Sequence, residues 1–165
     1  MKISSETKAI LKNFATINSG IKVGEGNQLK TISNMKNILA VATVPETFGQ
    51  EFSIYNLVEF LGAISLTDNP DFNFNESSLT IADADTSLTY FYASEGMVTT
   101  VEKMITMPEA EINIELSSTL LTELQKAASV LGVNDLIMTS DGSKISLQVT
   151  DKKNPTSNTF SRIVG

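Results

Sequence analysis

The chain has 165 residues, of which 41% are hydrophobic and 19% charged, which is typical of a protein with one or two compact domains and a sizeable core. It contains no cysteine and no histidine, which excludes disulfides, thiolate nucleophiles, Cys- or His-ligated zinc and any His-dependent catalytic triad within this chain. No apolar run approaches the ~20 residues that span a bilayer, so no membrane partner is expected.

The net charge of −7 is unevenly distributed along the sequence. Residues 1–36 hold six lysines and two glutamates, whereas residues 37–102 hold ten acids and neither Lys nor Arg. The remaining residues, 103–165, carry six basic and seven acidic side chains. One basic surface can therefore coexist with an acidic remainder that repels polyanions.

The first predicted unit has a short strand at residues 2–4 and a helix at residues 5–18, capped by Ser4 or Ser5. Its apolar residues follow helical spacing: Ile10, Leu11, Phe14 and Ile17. Three strands follow, at residues 21–23, 28–33 and 38–44.

The second unit repeats this plan, with a strand at residues 51–54 and a helix at residues 55–66. The helix residues predicted to point inward are Leu57, Val58, Leu61, Ile64 and Leu66. Strands at residues 71–75, 78–82 and 87–93 alternate apolar and polar side chains. We expect the two units to form one complete domain, residues 1–95.

Residues 96–109 show no clean periodicity, and we interpret them as an interdomain connector. A third unit follows, with a helix at residues 117–131 closed by Gly132 and strands at residues 111–116, 136–139, 144–150 and 159–164. The predicted fold class is α+β, with helices on one face of antiparallel sheets built from three βαβββ repeats. Residues 110–165 would then be the first half of a second domain.

Two groups of charged residues suggest chemistry. Lys8 and Lys12 lie one helical turn apart, opposite the apolar stripe of the first helix, and are either ordinary solvated charges or a phosphate-facing pair. Asp83 and Asp85 lie at a strand end and form either a turn or, with a neighbouring acid, a magnesium site. The second possibility would suit a metal-dependent nuclease.

Three stretches of the sequence resemble the sliding clamps of T-even-type bacteriophages. The longest covers the first helix and the following turn, Ile10-Leu11-Lys12-Asn13-Phe14-Ala15-Thr16-Ile17-Asn18-Ser19-Gly20-Ile21. The others are Ile54-Tyr55-Asn56-Leu57 running to Phe60-Leu61-Gly62, and Leu79-Thr80-Ile81-Ala82-Asp83-Ala84. The resemblance covers residues 1–95 well, and beyond them only the repeat pattern carries it.

This resemblance implies the DNA-clamp fold and a DNA polymerase processivity factor, a head-to-tail homotrimeric ring with helices lining a channel around duplex DNA. It implies no catalytic residue, metal or cofactor. Lys8, Lys12, Lys126 and Lys2 would face the channel. The implied partners are double-stranded DNA without sequence specificity, the polymerase and a clamp-loader ATPase, with a transcription factor as a further candidate, in the cytoplasm of the infected bacterial host.

The resemblance also implies two protein-binding regions. A partner peptide would bind near the connector, at Val98, Val101, Met104, Ile105 and Met107. Subunits would join through edge strands that include Tyr90, Phe91 and Tyr92 on one side and Phe160, Arg162 and Ile163 on the other.

The sequence departs from the family in its number of repeats. Family clamps have two domains of two repeats each, whereas three repeats are predicted here and the fourth is missing. The chain is then either a truncated clamp or a clamp in which the family's arrangement of repeats has been altered. A protein-interaction scaffold that does not encircle DNA remains the main alternative, and the nuclease is the second.

Overall fold

The computed structural model describes residues 1–101, 103, 105–110 and 113–164. The chain divides into two compact units, Met1–Ile105 and Thr106–Gly165. Within the described part, no helix is long and apolar enough to cross a membrane.

The described residues of unit 1 form two helices and seven strands. In chain order these are α1 (Ser5–Phe14), β1 (Ile21–Val23), β2 (Gly26–Ile32), β3 (Leu39–Phe48), β4 (Phe52–Ile54), α2 (Leu57–Ile64), β5 (Asp71–Phe74), β6 (Ser78–Ala82) and β7 (Ser87–Phe91). All pairings are antiparallel: β1 with β4, β2 with β3, β5 with β6, and β6 with β7. The α+β class is confirmed, while the number of repeats stays a prediction.

The two halves of unit 1 interlock by reciprocal pairing. The strand after α1, β1, pairs with the strand before α2, β4, so that Ile21 lies opposite Ile54. In turn, Met1, before α1, exchanges two hydrogen bonds with Phe72 of β5, at 3.0 and 2.7 Å. Residues 2–4 do not form the predicted strand, because these two bonds at Met1 are the only backbone pairing of this segment with β5 in the described chain.

One core, drawn from both halves, holds unit 1 together. Sixteen buried hydrophobic residues form a single cluster, in which Ile21, Leu29, Ile54 and Phe72 are at most 1% exposed. Helix α1 contacts both α2 and β3. Because each half supplies part of the same cluster, neither half can bury its apolar face alone.

Helix α1 begins as predicted, with Ser4 as its N-cap accepting a hydrogen bond from the backbone N–H of Thr7. It ends at Phe14 rather than at the predicted residue 18. The carbonyl of Phe14 accepts bonds from the backbone N–H groups of both Ile17 and Asn18, which tightens the chain into turns. The buried Asn18 side chain then bonds elsewhere, as described below.

The predicted inward face of α2 was partly wrong. Leu57, Phe60 and Ile64 are buried, whereas Val58 and Leu66 are 67% and 70% exposed. Phe60, which was not predicted, takes the inward position because residues 57, 60 and 64 fall on one face at helical spacing. Because α2 is almost wholly apolar, its sequence does not show which face points inward.

Unit 2 contains α3 (Ser118–Leu131), β8 (Asp135–Ser140), β9 (Ile145–Thr150) and β10 (Phe160–Ile163). Ser117 is the N-cap, and Gly132 closes the helix in the left-handed conformation that glycine adopts most easily, with φ of 67°. The strands form an antiparallel sheet in the order β10-β9-β8. Residues 113–117 form no strand, and the rest of that predicted strand, Glu111 and Ile112, lies outside the described residues.

Among the described residues of unit 2, four form its buried core: Leu124, Val133, Leu147 and Val149. Helix α3 packs on β9 and β10. On β8, Leu136 and Met138 lie opposite Val149 and Leu147 in the sheet register, yet they are 50% and 45% exposed. The apolar sheet face is therefore covered at β9 and left open at β8.

Candidate nucleic-acid interface and partner-facing surfaces

The lysine pair of α1 lies beside α2. Lys8 and Lys12 line a shallow groove of about 460 Å³, whose other residues are Ala9, Leu61, Ile64, Ser65, Thr67, Asp68 and Asn69. Lys12 is exposed and Lys8 half-buried, and neither forms an ion pair with a described residue. Two ammonium groups on one helix face, one turn apart, can contact successive phosphates of a polyanion.

The other two predicted DNA-facing lysines differ from this pair. Lys2 donates a 2.6 Å hydrogen bond to the carbonyl of Asn69 and lies 3.7 Å from the carboxylate of Asp71. Part of its charge is therefore already balanced. Lys126 is exposed on α3, in unit 2.

Helix α2 adds no positive charge to the groove. Its one charged residue is Glu59, and its outward side carries the exposed Val58. Tyr55 and Leu66, just outside the helix, are also exposed. Of the two helices that line the groove, α1 therefore supplies the positive charge.

A buried carboxylate holds the beginning of α1. Glu46 of β3 is 8% exposed, and it accepts hydrogen bonds from the backbone N–H of Ser4 and from the hydroxyl of Thr7. Burial alone would raise the pKa of Glu46, but these hydrogen bonds outweigh it and hold the pKa below its ordinary value. Glu46 is therefore ionised near neutral pH. The sequence had given it no role.

Strand β7 is at one edge of its sheet, and its backbone shows which groups face outward. The N–H of Tyr92 points towards β6, since it bonds the carbonyl of Ser77, whereas that of Ala93 points the other way, to Ser53. Because successive N–H groups of a strand alternate, those of Thr89 and Phe91 face the open edge.

The predicted interface residues of β7 divide into two kinds. The Phe91 side chain is 71% exposed. Tyr90 and Tyr92 instead pack against the core, with ring centroids 5.2 Å from Phe60 and 5.3 Å from Phe52. Only Phe91 of the three offers its side chain to a partner.

Strand β10 is also at an edge of its sheet. The N–H of Val164 bonds the carbonyl of Ile145, so by alternation those of Ser161 and Ile163 face outward. Ile163 is 60% exposed, whereas Phe160 packs against the unit 2 core and Arg162 lies 3.8 Å from Glu123. Sequence reasoning missed Thr89 and Ser161, because only the hydrogen-bond pattern identifies them.

The first part of the predicted connector is fastened to unit 1. The Asn18 amide donates to the carbonyls of Ile32 and Thr99, at 2.9 and 3.2 Å. Gly20 also lies close to the connector, since a Cβ atom added to it would be 3.1 Å from the Val98 side chain. These contacts make the start of the connector part of unit 1.

The five predicted partner-binding residues therefore do not form one exposed set. Val98 and Val101 are half-buried against unit 1, whereas Ile105 and Met107 are 61% and 76% exposed. Met104 lies outside the described residues.

Asp83 and Asp85 form a turn. One carboxylate oxygen of Asp83 accepts from the backbone N–H groups of Asp85 and Thr86, at 3.2 and 2.9 Å. In the described ranges, no group of three or more acidic residues is arranged to hold a metal ion. This geometry gives Asp83 a structural role.

Interlocked helix-and-strand halves, a basic helix and open sheet edges are features of an α+β protein of the DNA-clamp type. No protein-family model matches the sequence. The chain is 33% identical, over all of its length and 77% of the relative's, to the sliding clamp of Vibrio phage KVP40. It is 32% and 29% identical to the sliding clamps of Enterobacteria phage T4 and Escherichia phage RB69, with 88% of this chain aligned.

The chain belongs to the sliding-clamp family of these phages, whose members are DNA polymerase processivity factors. The aligned region spans 64% of the T4 and RB69 relatives, slightly under two thirds of their length.

Proposed function

We propose that this chain encircles duplex DNA as part of a ring and tethers the replicative polymerase, with no catalytic activity of its own. The observation that carries the proposal is the lysine pair of α1. Lys8 and Lys12 project from one helix face without an ion-pair partner among the described residues, in a chain with a net charge of −7.

The contact with DNA would be weak and independent of sequence. A few lysines meeting phosphates give salt-dependent attraction but carry no base specificity. The acidic remainder repels DNA from the other surfaces. A closed ring cannot leave DNA sideways, so weak contacts that permit sliding suffice, and Lys126 and Lys2 would add to them.

Ring assembly would use the two open strand edges. Each offers two outward N–H groups, at Thr89 and Phe91 on β7 and at Ser161 and Ile163 on β10. Pairing β7 of one subunit with β10 of the next satisfies both edges and covers the exposed Phe91 and Ile163. In the family such rings are trimers.

The other partners would be proteins of the replication machinery in the infected host cytoplasm: the polymerase, a clamp-loader ATPase and, as a further candidate, a transcription factor. Their peptides would bind the predicted connector residues, of which Ile105 and Met107 are exposed and Val98 and Val101 half-buried. Met104 belongs to the same predicted set.

Primer extension under single-encounter conditions tests this proposal. With the phage polymerase, its loader, ATP and a trap that captures released polymerase, adding the chain should lengthen the products. Products of equal length with and without the chain would contradict a tethering function.

A further inference from the structure

Glu46 carries a buried negative charge that the proposed function does not use. It is 8% exposed, and none of the ion pairs within the described residues involves it. Burying a carboxylate without a cation is costly unless hydrogen bonds and dipoles replace its water. The position therefore requires a local explanation.

The compensating hydrogen bonds come from the N-cap and first turn of α1. Ser4 donates its backbone N–H and Thr7 its hydroxyl to the two carboxylate oxygens of Glu46, and the Ser4 hydroxyl lies 3.1 Å from that of Thr7. Thr7 itself is fully buried. The positive end of the helix dipole lies at the same place and also favours a negative charge.

The hydrogen bonds that Ser4 and Thr7 donate to Glu46, called the Glu46 clasp below, also bear on the orientation of α1. The other contacts of α1 with the core are made by apolar side chains such as Leu11 and Phe14, and apolar burial is non-directional. The hydrogen bonds to Glu46 fix the rotation and height of the first turn relative to β3. Lys8 directly follows Thr7 and Lys12 lies one turn on, so the clasp also sets the direction of both ammonium groups.

We propose that Glu46 is a positioning residue for DNA contact, which holds α1 in the orientation that directs Lys8 and Lys12 to the phosphates. This inference rests on the proposed function, because it requires the two lysines to meet DNA. It assigns a functional consequence to a residue of the sheet that does not itself touch DNA.

The test compares variants of the full chain binding a short linear duplex, by fluorescence anisotropy at several salt concentrations where circular dichroism shows each to be folded. Glu46→Leu leaves the Ser4 N–H unpaired and removes the acceptor of the Thr7 hydroxyl. It should weaken binding about three- to tenfold at low salt and lower the slope of log affinity against log salt by about 1 per DNA-bound subunit. Thr7→Val, which removes one donor, should act in the same direction.

Two comparisons separate positioning from general destabilisation. Glu46→Gln can still accept from Ser4 while the rotatable Thr7 hydroxyl accepts from the new amide, so it should recover most of the slope. Val44→Ala leaves a cavity beside the same strand, β3, but keeps the Glu46 clasp intact, so it should leave the slope unchanged.

The decisive comparison adds Glu46→Leu to Lys8→Ala/Lys12→Ala. Little further loss is expected, because the lysines through which Glu46 acts are gone. Full additivity, an unchanged slope in Glu46→Leu, or an equal slope change in Val44→Ala would overturn the inference while leaving the proposed function standing. If Lys8→Ala/Lys12→Ala itself binds DNA normally, the lysine contact and this inference both fail.

Discussion

Replacing Lys8 and Lys12 together with alanine should weaken binding to linear duplex at low salt by at least about tenfold, because each subunit loses two phosphate contacts. The slope of log affinity against log salt should fall by about 2 per DNA-bound subunit, since each contact releases close to one counterion. Alanine favours helix at both positions, so α1 should stay folded. Anisotropy of a labelled duplex between low and moderate salt measures both quantities.

The matched control for this variant is Lys152→Ala/Lys153→Ala. Both lysines are exposed in the loop after β9. Each donates a hydrogen bond from its backbone N–H, which alanine keeps. The change in net charge is identical. Equal losses in the two double variants would mean that overall charge, and not the α1 surface, governs binding.

Thr89→Pro should abolish subunit association while leaving unit 1 folded. The substitution removes an N–H group at the open edge of β7, and proline is tolerated at sheet edges where that group bonds nothing within the sheet. Without it, β10 of a neighbour loses a ladder hydrogen bond and meets a bulky ring. Sedimentation velocity should show a shift from oligomer to monomer.

Thr89→Val is the control for edge pairing, because it changes the side chain and keeps the N–H. It should assemble like the unsubstituted chain. If Thr89→Pro assembles normally as well, β7 is not a pairing edge. If Thr89→Pro loses the circular dichroism signal of the folded chain, the assignment of its N–H to the open edge is wrong.

The sequence was sufficient to predict helix α1, because its apolar and polar residues fall on opposite faces. Leu11 and Phe14 repeat at helical spacing, Ser4 supplies a cap, and the two lysines lie on the opposite face. Its end was predicted four residues too late, because Ile17 continues the apolar spacing through turns that are no longer α-helical. Helix α2 offered no such contrast, so Val58 was assigned to the wrong face.

The burial of Glu46 was not predicted from the sequence pattern. Strand β3 was expected to end at Val44, one residue before Pro45. The strand continues to Phe48, because Pro45 falls where the ladder with β2 shifts register. Residues 44, 46 and 48 then share the inward face, and this alternation was the one signal that could have placed Glu46 inside.

The partner-facing surfaces depended on contacts between residues distant in sequence. Asn18 lies 81 positions before Thr99, and no local pattern predicts that its amide holds the connector. The sequence also does not show which N–H groups of an edge strand point away from the sheet, because their direction follows from strand pairing and not from residue type. Thr89 and Ser161 therefore emerged only from the hydrogen bonds.

The most direct test of a sliding ring is retention on circular compared with linear DNA. The chain is loaded onto a nicked circle by the clamp loader with ATP, the salt is raised, and bound protein is followed by gel filtration before and after a single cut in the circle. A sliding ring should be retained for a long time on the circle and lost rapidly through the ends once the circle is cut. Equal loss from circular and linear DNA would contradict a sliding ring.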